Sequence, residues 1–146
     1  MATEVEFHTG VADTLVFACR LLRKAYRRGA LVLCTTPAHR LAELDRLLWT
    51  LEERDFVPHV RMPGAQPALA SRTPIWLAET ALEAARGRVL VNLGAEAPAD
   101  ATAFVRLIEI VPAESDAAAA GRERWRRYKA AGLGIVHHDA GSAPET

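Results

Sequence analysis

Short, dominantly apolar runs recur along this chain: "ALVLC" at 30–34, "PIWLA" at 74–78, "RVLVNL" at 88–93 and "LIEIV" at 107–111. Each is strand-length and rich in branched residues. "ALVLC" above all lacks the polar alternation of a strand with one wet face, so it reads as a strand covered on both faces, as in a parallel sheet. Such a sheet needs helices above and below it, and the chain supplies amphipathic segments between the runs.

The first segment, "TEVEFH", alternates, with Val5 and Phe7 on one side, and reads as a strand. Asp13 then caps a helix through "TLVFACRLLRKAYRRG", which places Leu15, Ala18, Cys19, Leu22, Ala25 and Tyr26 at helical spacing and ends at Gly29. After "ALVLC", the run "TTPAHRLAELDRLLWTLEE" reads as a second helix, with Thr36 as cap, Pro37 at its first position and a stripe through Leu41, Leu44, Leu48 and Leu51. Residues 56–74, dense in Pro and small side chains, are expected to be an irregular connection with a short extended start. "AETALEAARG" reads as a short helix, a helical piece is expected around Phe104, and a last helix runs from about Ser115 to Ala131. The expectation is a three-layer α/β/α sandwich with a mainly parallel sheet: one domain over 1–138, and a frayed tail over 139–146.

Half the residues are apolar and a quarter charged, with Lys+Arg equal to Asp+Glu, so no global positive field draws the chain onto a polyanion. No apolar run approaches the roughly 20 residues that cross a bilayer, and no leader is evident, so a cytoplasmic location without membrane contact is expected. Cys19 and Cys34 lie in apolar stretches, as small buried hydrophobes do in a reducing compartment.

The chemistry of an enzyme is hard to find. The loop after the first strand, "HTGVADT", has one glycine and neither GxGxxG nor GxxxxGK[ST]. No GxSxG elbow is present, and neither cysteine has a metal-spaced partner. No cofactor, metal or catalytic residue is expected. "HHD" at 137–139 reads as a tail or strand end, because adjacent extended residues point opposite ways; His8 and His59 read as structural histidines. The carboxylates of "AELDRLLWTLEERD" read as surface partners of Arg46 and Arg54.

One stretch stands apart. In "GRERWRRYKAAG" (121–132), helical spacing puts Arg122, Trp125, Arg126 and Lys129 on one face, and residues 122–129 carry five basic groups and one acidic, a local +4. A plain helix end fits this pattern, with Glu114 and Asp116 at its start, cations at its finish and Trp125 or Tyr128 in the core. So do a platform for single-stranded nucleic acid and a hook for an acidic, apolar-ended peptide, whereas a membrane surface would want a larger apolar face and a broader basic excess than this helix offers. Zero net charge favours a small local ligand over a polymer.

The chain resembles the chi subunit family of bacterial DNA polymerase III holoenzyme over nearly its whole length. The matching pieces are the early "EF", "AYRRGALVLC", "LLW" with "FVPH" (47–49 and 56–59), "RVLVNL", and "FVRLIEIVP" running into "RERWRRYKAAG", the last being the most specific. The resemblance implies a Rossmann-like fold without nucleotide binding, in a non-catalytic subunit of the clamp-loader assembly at the replication fork. It implies two partners. The first is the acidic C-terminal tail of single-stranded DNA-binding protein, held by Arg122, Trp125, Arg126 and Lys129 with Val111 in an apolar pocket, so that contact with DNA is indirect. The second is the psi subunit, met by Trp49, Phe56, Val57 and Pro58. Trp125 stands where the family often has Tyr, and Ala118 where a Lys contributes charge. A nucleotide-binding protein or enzyme on the same fold, and a direct single-strand binder, remain the rival expectations.

Overall fold

A computed structural model describes residues 3–51 and 56–140. A seven-stranded sheet, parallel throughout, has the order β3-β4-β2-β5-β6-β1-β7. Its strands are β1 (Glu4–Val11), β2 (Val32–Thr35), β3 (His59–Arg61), β4 (Ile75–Ala78), β5 (Val89–Asn92), β6 (Arg106–Pro112) and β7 (Ile135–Asp139). The helices are α1 (Thr14–Arg27), α2 (Ala38–Thr50), α3 (Pro67–Ser71) and α4 (Ser115–Ala130). The expected Rossmann-like sandwich is thus the fold.

Alternation within strands builds two cores. On one face, Val32 and Cys34 of β2, Ile75 and Leu77 of β4 and Ile108 and Ile110 of β6 meet Leu15, Ala18 and Leu22 of α1 and Leu41, Leu44 and Leu48 of α2. On the other, Val5 and Phe7 of β1, Leu33, Trp76, Leu90, Leu107 and Val111 meet Tyr128 of α4 and Ala70 of α3. Both cysteines are buried, which pushes Cys19 up to about 11 and Cys34 higher still, so neither is a ready thiolate.

Asp13 caps α1, its carboxylate accepting from Val16 N at 3.1 Å. α1 and α4 end alike: Gly29 and Gly132 take positive φ, and the following amides of Ala30 and Leu133 reach back to Ala25 O and Tyr128 O. In α4 this closure turns the chain directly into β7.

Several local expectations are corrected. Thr36 does not cap α2: its hydroxyl is buried and donates to Leu93 O at 3.1 Å, while Pro37 takes the cap position and the helix starts at Ala38. The 56–74 connection holds both β3 and α3, the latter started by Pro67. "AETALEAARG" forms only a single tight turn at Glu83–Ala85, and the piece before Phe104 is a similar turn at Ala101–Ala103. Asp45 pairs across to His59 (2.8 Å) and Arg61 (3.7 Å) instead of along its helix; Arg54 lies outside the described residues. His59 is indeed a structural histidine, tied also to Val57 O. Of the two readings of "HHD", tail or strand end, the strand is found: it closes the edge strand β7, paired to β1 from Ile135 to Asp139.

Candidate functional site

The floor of the site is a close approach between α4 and β6. Gly121 sits against Val111 so tightly that a Cβ there would lie 2.9 and 3.0 Å from the two Val111 methyls. Valine is stiff at χ1 and Val111 is buried, so Gly121→Ala is expected to push α4 outward. Overpacking costs of about 1–3 kcal/mol oppose a helix-propensity gain of about 1 kcal/mol, leaving a small net loss. Chemical denaturation checks this, and Val111→Ala in the same chain should relieve it.

Above this floor opens a cleft of about 610 Å³ lined by Phe7, Thr9, Val111, Ala118, Gly121, Arg122, Trp125, Arg126 and His137, among others. Trp125 forms one wall, its ring 4.8 Å from Phe7 and edge-on to His137 at 5.3 Å. His137 Nε2 lies 2.7 Å from Thr9 Oγ1, which fixes that ring in turn. Arg122 and Arg126 stand exposed at the mouth, Arg126 pairing with Glu123 one turn back. Lys129 is exposed one turn further along and is not part of the lining. An apolar floor, an aromatic wall and guanidinium groups at the rim suit a ligand with an apolar end and nearby carboxylates.

The remaining residues of the basic strip divide by helix face. Arg124 turns inward, donating through Nε to Glu109 Oε1 at 2.9 Å; Tyr128 O–H donates to Glu109 Oε2 at 2.6 Å, and Asn92 Nδ2 to the same oxygen at 2.9 Å. Burial pushes the Glu109 carboxyl up against the pull of these three partners, and raises the Tyr128 hydroxyl. The outward charge is therefore smaller than the +4 counted along the sequence. Glu114 caps α4, accepting from Asp116 N and Ala117 N, and those bonds hold its carboxyl below the usual range.

At the far side, Trp49 and Phe56 are more than half exposed and stack with ring centroids 5.0 Å apart, propped on His59. Val57 is buried in the core and Pro58 is half-buried, so this cluster is part surface and part core.

The family model for "DNA polymerase III chi subunit, HolC" matches residues 2–136. The chain is 32% identical over 129 residues to DNA polymerase III subunit chi of Haemophilus influenzae, covering 85% of both chains. It is 33% identical over 126 residues to the same subunit of Pseudomonas aeruginosa (85% of this chain, 84% of that one) and 27% over 128 to that of Escherichia coli (86% and 85%). The chain belongs to the DNA polymerase III chi subunit family.

Membership in the chi family makes it an accessory subunit of the replicative polymerase. Where a nucleotide would dock in this fold, this chi-family chain places negative charge. Asp13 occupies the amino end of α1, and a second hollow, beyond the ends of β2, β4 and β5, carries Glu79 and Glu96 beside Arg127. Among the described residues no helix is long and apolar enough to cross a membrane. Reading the sequence missed Phe7, Gly121 and His137 as cleft residues and Glu109 as the partner of α4. Only Glu109 left a signal: a carboxylate inside "LIEIV" must find a partner once buried.

Proposed function

We propose that this subunit tethers the polymerase assembly to coated single-stranded DNA by holding the acidic C-terminal tail of single-stranded DNA-binding protein in the α4 cleft. The observation that carries the reading is the cleft itself, apolar at Val111, Gly121 and Trp125 and cationic at Arg122 and Arg126. The terminal aromatic side chain of the tail lies against Val111 and Trp125; its carboxylates meet the two arginines, with Lys129 adding attraction from one turn away. Binding is the whole mechanism, and contact with DNA is indirect. Titration of a labelled tail peptide tests this: saturable binding is expected, and equal affinity for a peptide lacking its final aromatic residue would sink it. Direct strand binding is disfavoured because the basic groups form a small local patch on a chain of zero net charge; tryptophan quenching by an oligonucleotide alone is the result that would favour it.

The exposed Trp49–Phe56 stack supports a link to the psi subunit, with Val57 and Pro58 shaping its base. The double change Trp49→Ala and Phe56→Ala is expected to leave the unfolding midpoint nearly unchanged while abolishing co-purification with psi. Retention of psi would place that contact elsewhere.

A further inference from the structure

Strands β1 and β7 carry a second constellation on the sheet face opposite the cleft. Alternation puts Glu6 and His8 on one side of β1, and the parallel register sets His8 beside His138. His137, one residue earlier, points into the cleft, so the two adjacent histidines serve opposite faces. Glu6 Oε1 lies 2.9 Å from His8 Nε2 and 3.3 Å from His138 Nε2. The ligand atoms of all three residues fall within 4.8 Å of one another.

We propose that Glu6, His8 and His138 form a binding site for a divalent transition-metal ion of the zinc class. With metal–ligand bonds of about 2.0–2.1 Å, tetrahedral ligand atoms stand about 3.3 Å apart; the two separations from Glu6 Oε1 lie within a few tenths of an ångström of that, and binding requires the stacked His8 and His138 rings to turn so that their nitrogens converge on the ion. Two imidazoles and one carboxylate select zinc, cobalt or nickel over magnesium or calcium, which want oxygen. Glu6 is already oriented as a ligand, because Arg106 holds its Oε2 and leaves Oε1 directed at the histidines, as an outer partner of a ligating carboxylate does. The His8 ring is held between Phe17 at 5.1 Å and the stacked His138 ring at 4.8 Å. An entry path exists, because the His138 side chain is 53% exposed while those of Glu6 and His8 are mostly covered. Such an ion clips β7, whose residues from Val136 to Asp139 are exposed, onto β1.

The test uses the full chain without a histidine tag, stripped with chelator and titrated with Co²⁺ by visible absorption and with Zn²⁺ by calorimetry. One equivalent should bind with the intense bands of a tetrahedral cobalt site, and excess Mg²⁺ should not compete. His138→Ala, at an exposed edge position, should fold normally and weaken binding by more than about tenfold; His138→Asp should restore part of it. His137→Ala, on the other face, should leave affinity unchanged. Absence of saturable binding, or equal losses from His137→Ala and His138→Ala, would overturn the site.

Discussion

Glu109→Gln is expected to destabilise the fold severely. It leaves the Arg124 guanidinium buried with no counter-charge and, with the amide carbonyl kept on Tyr128 and Asn92, turns the amide N–H₂ toward the Arg124 Nε–H, which then lacks an acceptor. Breaking one side of a buried ion pair costs about 3–5 kcal/mol. For a domain of this size that corresponds to a fall in melting midpoint on the order of 10 °C. The cause is separable from loss of packing, because Gln keeps the shape of Glu. Adding Arg124→Met removes the stranded charge while the Gln carbonyl still accepts from Tyr128, so the double variant should recover most of the loss. Equal instability of the single and double variants would show that the pair is not what holds α4 to the sheet. Because Arg124 and Tyr128 flank Trp125 on the same helix, the single variant should also weaken tail-peptide binding without touching a cleft residue.

Arg122→Ala and Arg126→Ala should do the reverse, leaving stability intact and removing affinity. Both side chains are exposed, and the Arg126–Glu123 pair is a surface contact that contributes little. A hydrogen bond to a charged group contributes about 1.5–3 kcal/mol, so each change should raise the Kd for the tail peptide roughly 10- to 100-fold. Rising salt should weaken the native complex and affect the variants less. Ala118→Lys makes the complementary experiment: Ala118 lines the cleft, and a cation there should tighten binding. Fluorescence anisotropy across a salt series reads all three. Unchanged affinity in both arginine variants would remove the charge contribution from the proposed mechanism.

Legibility followed the physics of each segment. Helices α1 and α2 and the strands of the sheet centre were readable because apolar spacing alone specifies them. The 56–74 stretch was not, since β3 is three residues long and α3 five, and both are stabilised by what they pack against. "AETALEAARG" has helix-forming residues, yet the chain winds only one tight turn there before β5. The basic strip was legible as a face, but its net charge was not. That depended on Arg124 lying on the same side of α4 as Gly121 and Tyr128, and on Glu109 waiting in a different segment. His138 was the least accessible to reading, because its neighbours Glu6 and His8 reach it only through a strand pairing across some 130 positions of chain.

The order of strands has a mechanical meaning. The Trp49–Phe56 stack sits by β3 at one margin of the sheet and the α4 cleft by β1 and β7 at the other. Six inter-strand gaps of about 4.8 Å separate those margins by roughly 29 Å. A continuous hydrogen-bonded sheet with helices on both faces does not bend or stretch readily over such a span. With psi and the tail bound at these two margins as proposed, the sheet would hold them at a fixed separation.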